Sequence, residues 1–220
     1  MTKAQSHVNG VLPGEEGLSG KELRRQERFL AILEAAGEAF STKGYHRSTM
    51  EDVALRAGVA VGTVYLYFPG KEALFVSLLD HLAQQLLGAV VEARSRVQGV
   101  LAKLGASIAQ AVRVFAANRS QARIVLIEAV GASPAIDEKL ASIHTLLAEL
   151  VERDLREAVE EGLIPGQDLD ISSKALVGTC YEVILGHLRD GRPASLEGSV
   201  PALLDLVFRA IGAANRRDPQ

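Results

Sequence analysis

The stretch RSTMEDVALRAGVAVGTVYLYFPGKEALF, residues 47–75, carries the side chains whose types and spacing could do chemistry. Arg47, Thr49, Thr63, Tyr65, Tyr67 and Lys71 are hydrogen-bond donors set among apolar residues, with no nucleophile–base pair and no metal-ligand spacing between them. Donors of this kind suit the anionic oxygens and base edges of a nucleic acid. The residues between them say how they are presented. Ser48-Thr49-Met50-Glu51 has the S/T-x-x-E form of a capping box and predicts a helix start. Val53, Ala54 and Ala57 give that helix an apolar face, and Gly58 ends it. Gly58-Val59-Ala60 then reads as a three-residue turn into a short helix that runs to about Tyr67, where Pro69-Gly70 breaks the chain. Two helices joined this tightly let the second enter a major groove while the first crosses the phosphate backbone. Val53, Val59, Val64 and Phe68 are expected to bury, leaving Val61, Gly62, Thr63, Tyr65, Leu66 and Tyr67 partly exposed.

The elements that must hold this pair are helical throughout. Leu23, Leu30, Leu33, Ala36 and Phe40 recur at helical spacing over residues 21–43, and Gly44 follows as a stop. Lys71 opens a long amphipathic helix, about 71–97, with Leu74, Leu78, Leu82, Leu86 and Leu87 on its inner face. Segments near 100–117, 120–130, 134–161, 168–189 and 199–214 continue the pattern, with Ser133 a plausible cap before Pro134. No strand-like alternation of useful length appears. The expected fold is all-α with nine helices: a flexible tail over 1–19, a three-helix helix-turn-helix DNA-binding domain over 20–70, and a six-helix domain over 71–220.

Composition narrows the function. At 220 residues and 48% hydrophobic, the chain can build real cores, and its net charge of −3 gives no global pull toward nucleic acid. Over residues 20–71 the formal charge is only +2, so the DNA argument rests on local geometry. The single cysteine, Cys180, permits no intrachain disulfide and reads as a small buried apolar residue. No uninterrupted apolar run approaches a membrane span, and the N-terminus lacks the apolar core of a signal peptide, so a cytoplasmic location without membrane contact is expected. No G-x-S-x-G, H-E-x-x-H, P-loop or dinucleotide fingerprint is present, and the five histidines are scattered. The reading is of a protein that is not an enzyme and that needs no cofactor and no metal. A helical scaffold without DNA binding is the rival, and salt-dependent duplex binding separates the two.

The 47–75 stretch resembles the TetR family of regulators through Thr49, Val53-Ala54, Ala57-Gly58-Val59, Gly62-Thr63-Val64-Tyr65, Tyr67-Phe68 and Lys71-Glu72-x-Leu74. The resemblance implies a homodimer that binds double-stranded, palindromic operator DNA and represses transcription until an effector releases it. An activator of the same fold is the alternative. Residue by residue, it implies that Lys71, Thr63 and Tyr67 meet phosphates, that Thr49 anchors its helix to the backbone, and that Val61, Gly62 and Tyr65 face bases. Arg47 supports readout, and Arg24, Arg25 and Arg28 lie near flanking phosphates or a minor groove. Two departures stand out. Ala60 occupies the recognition-helix cap, where family members often have Ser or Thr, a loss of about 1 kcal/mol in typical hosts. Val61 cannot hydrogen-bond a base edge, although it can pack on a thymine methyl.

The same resemblance makes the six helices over 71–220 an effector-binding and dimerisation domain. The last two would pair with their mates through Ala175, Gly178, Thr179 and Gly186, then Leu203, Leu204, Val207, Phe208 and Ile211. The effector would lie among the fourth to eighth helices, against Phe115, Asn118, Arg123, Leu126, Ile127, Val130, Ile143, His144, Leu147 and Tyr181. Nearly all of these are apolar, which predicts a small apolar effector. RIVLIEAVGASP followed by a long helix is similar to regulators of fatty-acid degradation, and this implies a long-chain acyl-CoA whose phosphates meet Arg119 or Arg123. A drug-like hydrophobic compound is the alternative. The fourth helix is the natural lever between effector and DNA.

Overall fold

The computed structural model describes residues 19–213, so the tail expected over residues 1–19 lies almost wholly outside them. Among the described residues there are nine α-helices and no strand: α1 Gly20–Lys43, α2 Met50–Ala57, α3 Val61–Tyr67, α4 Lys71–Ser95, α5 Val100–Ala117, α6 Arg119–Arg123, α7 Pro134–Glu160, α8 Leu169–Asp190 and α9 Val200–Ala210. A π-helical segment, Ile124–Glu128, continues α6, and a 3₁₀ turn, Glu197–Ser199, leads into α9.

Local chemistry sets the helix ends. The Ser19 hydroxyl and Glu22 form a reciprocal capping box that opens α1. Ser133 accepts from the Ile136 amide and starts α7 just before Pro134, as expected. The box that opens α2 sits one residue later than its sequence pattern indicates. Thr49 is the cap and Asp52, not Glu51, answers it. Ser48 is instead buried, its hydroxyl donating to the carbonyls of Ala39 and Gly44 at 3.1 and 2.8 Å.

Two apolar cores result. The first gathers Ile32, Leu33 and Phe40 of α1, Val53 of α2, Val64 and Phe68 around α3, and Leu74, Phe75 and Leu78 of α4. It also takes in Ile124, Ala129 and Ile136 from beyond residue 120, so the core of the head, α1 to α3, is completed by the body, α4 onward. The second core packs α5, α7, α8 and α9 around Leu104, Val112, Leu155, Leu176 and Leu188. A buried ion pair stitches three of the body's helices: Arg94 at the end of α4 donates twice to Asp154 of α7, at 2.6 and 2.7 Å, and once to Ser107 of α5 at 2.9 Å.

By length and mean hydropathy alone, α4 and α5 would pass as membrane spans, although neither holds an uninterrupted apolar run of that length. The reason is visible in the packing. Each helix has one face in a core and a second against an internal cavity, so apolar residues run most of the way round.

Candidate nucleic-acid interface and effector cavity

The head presents α3 as its most exposed helix. Gly58, in the left-handed region at φ 65°, turns the chain from α2 into α3, and the Val59 amide donates to the Ala54 carbonyl at 3.0 Å. Val64 and Phe68 anchor α3 inward, and Phe29 of α1 lies 5.1 Å from the Phe68 ring. This leaves Val61, Gly62, Tyr65 and Leu66 outward, with Tyr65 half exposed and Leu66 83% exposed. Thr63 and Tyr67 are intermediate, and Tyr67 packs toward Phe29. Ala60 offers no side-chain cap, so the first amides of α3 point out without an internal partner from that side chain. Arg47 and Thr49 are exposed beside it, although the Arg47 Nε donates to the Lys43 carbonyl at 2.9 Å. Arg24, Arg25 and Arg28 line an exposed face of α1.

Lys71 is employed differently from its expected role. Its ammonium donates to the carbonyls of Tyr45, His46 and Ser48 at 2.9, 3.1 and 3.1 Å and lies 4.6 Å above the Tyr45 ring. All three donors are therefore engaged within the protein. Lys71 ties the α1–α2 connection to the start of α4, and a phosphate would have to compete with these carbonyls. Lys71→Met is expected to lower unfolding free energy by on the order of 2 kcal/mol, read by urea denaturation. Were Lys71 only a phosphate contact, stability would hold and the salt slope of DNA binding would fall by about one.

The body holds a partly open cavity of about 180 Å³ walled by α4, α5, the α6–π segment, α7 and α8. Of the expected lining residues, Phe115, Asn118, Leu126, Ile143, His144, Leu147 and Tyr181 are there. Arg123, Ile127 and Val130 are not. Arg123 donates to the Leu188 carbonyl at 3.2 Å and pairs with Glu128 at 3.6 Å, Ile127 packs on the second core, and Val130 is 54% exposed. For Ile127 and Val130 the π-helical register explains the miss: one extra residue in the turn rotates them away from the direction a plain α-helix would give them. Sequence reasoning passed over the α4 wall, Leu79, Leu82, Leu86 and Val90, because a stripe facing a void looks the same as a stripe facing a core. It also missed the amides of Gln85 and Gln121.

The cavity is electrically neutral near pH 7. Burial holds the His144 imidazole below its usual range, and the ring meets Tyr181 edge-on at 4.7 Å. Burial also raises the Tyr181 phenol and pushes the Cys180 thiol up to about 11. A ligand here meets methyl groups, aromatic edges and a few neutral dipoles.

The faces assigned to self-association are partly redirected. Leu203, Val207 and Ile211 are buried in their own chain's second core, and Phe208 and Leu204 lie against Gly105 of α5, at 3.2 and 3.9 Å from where a Cβ would stand. They hold α9 to α5. An amphipathic stripe does not say whose core it joins, and here it joins its own. Gly186 makes room for the Arg192 carbonyl of the following loop, which a Cβ would approach to 3.1 Å. Ala175 and Gly178 are exposed on α8 beside Ile171, which is 65% exposed, and Thr179 is at the edge of that face. On α9 the outward residues are Pro201, Ala202, Leu206, Arg209 and Ala210.

Compared with known proteins, residues 32–78 match the family described as bacterial regulatory proteins, tetR family. Over 189 residues the chain is 24% identical to the fatty acid metabolism regulator protein of Bacillus subtilis (strain 168), covering 86% of this chain and 97% of that one. Over 74 residues it is 36% identical to the HTH-type transcriptional activator FasR of Mycolicibacterium smegmatis, covering 34% of each. The solved structure of the transcriptional regulator FadR from Bacillus subtilis in complex with stearoyl-CoA superposes with a TM-score of 0.75 at 24% identity, covering 81% of this chain and 97% of that one. At that identity the structural likeness is one of fold.

Proposed function

We propose that the chain is a member of the tetR family of bacterial regulatory proteins, supported by the match over residues 32–78, and that it is a cytoplasmic repressor that binds palindromic operator DNA as a homodimer and is released by a long-chain acyl-CoA. The observation that carries the effector class is the neutral, apolar cavity, whose walls are shared with the DNA-binding head. Leu79 of α4 lines the cavity and also belongs to the head's core. In the α6–π segment, Val125 and Leu126 line the cavity while their neighbour Ile124 is buried in the head's core. The Bacillus subtilis FadR complex with stearoyl-CoA supports the same class of ligand.

The size of the cavity says how such a ligand would act. A space of about 180 Å³ is close to the ~150 Å³ engineered cavity that takes up benzene. A long acyl chain enters only as the helices part, so binding and rearrangement are one event. Each methylene buried returns about 0.8 kcal/mol, which offsets the spreading. The ligand shifts the equilibrium only by its preference for the spread state. In a dimer, that state would misalign two α3 helices that must reach grooves about 34–36 Å apart. The exposed α8 face with Ala175 and Gly178 is the surface we assign to the partner copy.

The test begins with a duplex selected from a random pool by the purified protein. A palindromic site is expected, with affinity that falls steeply with salt and drops about tenfold or more when stearoyl-CoA is added. Selection of no preferred site would remove the regulator reading. An affinity indifferent to acyl-CoA, with release by drug-like compounds instead, would move the effector class. Tighter DNA binding with acyl-CoA would favour the activator reading, for which the likeness to FasR over 74 residues is the support.

A further inference from the structure

The outward side of α3 carries almost nothing that can hydrogen-bond. Gly62 and Leu66, one turn apart, form its outermost line, and Val61 and Tyr65, also one turn apart, flank them. Leu66 is 83% exposed, Tyr65 49% and Val61 37%. Among these four residues the Tyr65 hydroxyl is the one side-chain hydrogen-bonding group. The neighbouring cations add little. All three donors of Lys71 serve carbonyls of the α1–α2 connection, and the Arg47 Nε is turned back to the Lys43 carbonyl. Val64 and Phe68 fix the helix from beneath, so its outer side chains are held at a set height above the head. Nothing lies within 4 Å of where a Gly62 Cβ would stand. The α3 backbone can therefore come close to whatever it meets, with the Leu66 side chain one turn further on.

A major groove gives such a face one feature to read. Every base pair shows donors and acceptors there, which Leu66 and Val61 cannot engage, and the apolar feature is the C5 methyl of thymine. On the reading of α3 as the element that enters the groove, we propose that this protein selects its operator by thymine methyls, with Leu66 as the principal reader and Val61 and the Tyr65 ring beside it. Leu66 and a methyl that cover each other both leave water, which favours the matched site. A G·C pair offers only polar edges in the groove, and the same side chains would cover those edges without pairing them. The half-site is therefore a run of A·T and T·A pairs whose methyls follow the path of α3. The orientation of each pair matters, because the methyl belongs to one strand.

The experiment uses the full-length protein and the duplex it selects from a random pool, with affinity read by fluorescence anisotropy. Deoxyuridine in place of thymidine removes the methyl and keeps every hydrogen-bonding edge. Each methyl lost beneath α3 is expected to weaken binding about fourfold, and the loss multiplies when both half-sites are altered. Thymidines outside the half-sites are expected to be replaceable without effect. Leu66→Ala is expected to weaken the thymidine duplex to a similar degree with melting temperature unchanged, and to add little on a duplex that already lacks the contacted methyl. That non-additivity marks a direct contact, which a merely structural role for Leu66 would not produce. Deoxycytidine at the contacted position is expected to weaken binding, and 5-methyldeoxycytidine to recover part of the loss. Half-sites read through G·C pairs, or a deoxyuridine duplex bound as tightly as the thymidine one, would overturn methyl reading while leaving the regulator standing. An unaltered protein that prefers no duplex would overturn the regulator reading, and this one with it.

Discussion

Asp154→Ala is expected to destabilise the chain by about 3 kcal/mol or more, because it strands the Arg94 guanidinium in the body. Asp154 is 4% exposed and Arg94 18%, so neither charge is freely hydrated. Their twofold contact, with the Ser107 hydroxyl as a third partner, joins α4, α5 and α7 near one end of the cavity that Ser107 also lines. Removing the carboxylate leaves a cation with only the Ser107 hydroxyl, the field of Glu157 and water from the partly open side. For a chain of this size the loss corresponds to a fall in melting temperature on the order of 10 °C, read by calorimetry at fixed protein concentration. Replacing both charges, Arg94→Met with Asp154→Leu, is expected to recover most of it, since the pair gains little over well-packed apolar groups. A loss under 1 kcal/mol for the single variant would mean that the ion pair opens readily to solvent.

Gly62→Glu should do the opposite kind of damage: DNA binding goes and the fold stays. Gly62 is exposed in the first turn of α3, and no atom lies within 4 Å of where its Cβ would stand. A side chain there costs no packing, and removing a helical glycine gains about 0.5–1 kcal/mol. A carboxylate in that turn, however, would face DNA phosphates, and a like-charge juxtaposition costs several kcal/mol. Operator affinity is therefore expected to fall by at least about a hundredfold, measured by fluorescence anisotropy, with melting temperature unchanged or slightly higher. Retained affinity would mean that α3 does not lead into the groove.

The head was the most legible part of the chain because its signals are local. Gly58 and Gly44 need backbone conformations that other residues resist; outside the head, Ser133 before Pro134 is a cap of the same local kind, readable over four residues. The same locality misplaced the α2 cap by one position. Ser48-x-x-Glu51 and Thr49-x-x-Asp52 are both acceptable boxes, and only the burial of Ser48 under α1 decides between them. Non-local facts were out of reach. Arg94 and Asp154 are far apart in sequence, and nothing near either one announces the other. The α9 stripe of Leu203, Val207 and Ile211 marked a buried face without saying which chain buries it. The cavity was legible as a region and blurred in detail, since the π-helical segment turns Ile127 and Val130 away from the positions an α-helical count predicts.

The three body residues that finish the head's core, Ile124, Ala129 and Ile136, bear on how this protein can be taken apart. A fragment cut after Gly70 would leave a hole beneath α1 and forfeit the apolar stripe of α4. Anyone transplanting this reading head onto a foreign sensor would have to carry the α4 stripe and the 124–136 strap with it, or design a substitute plug. Specificity swaps are therefore better made on the outer surface of α3, where Val61, Gly62 and Tyr65 can change without disturbing the joint.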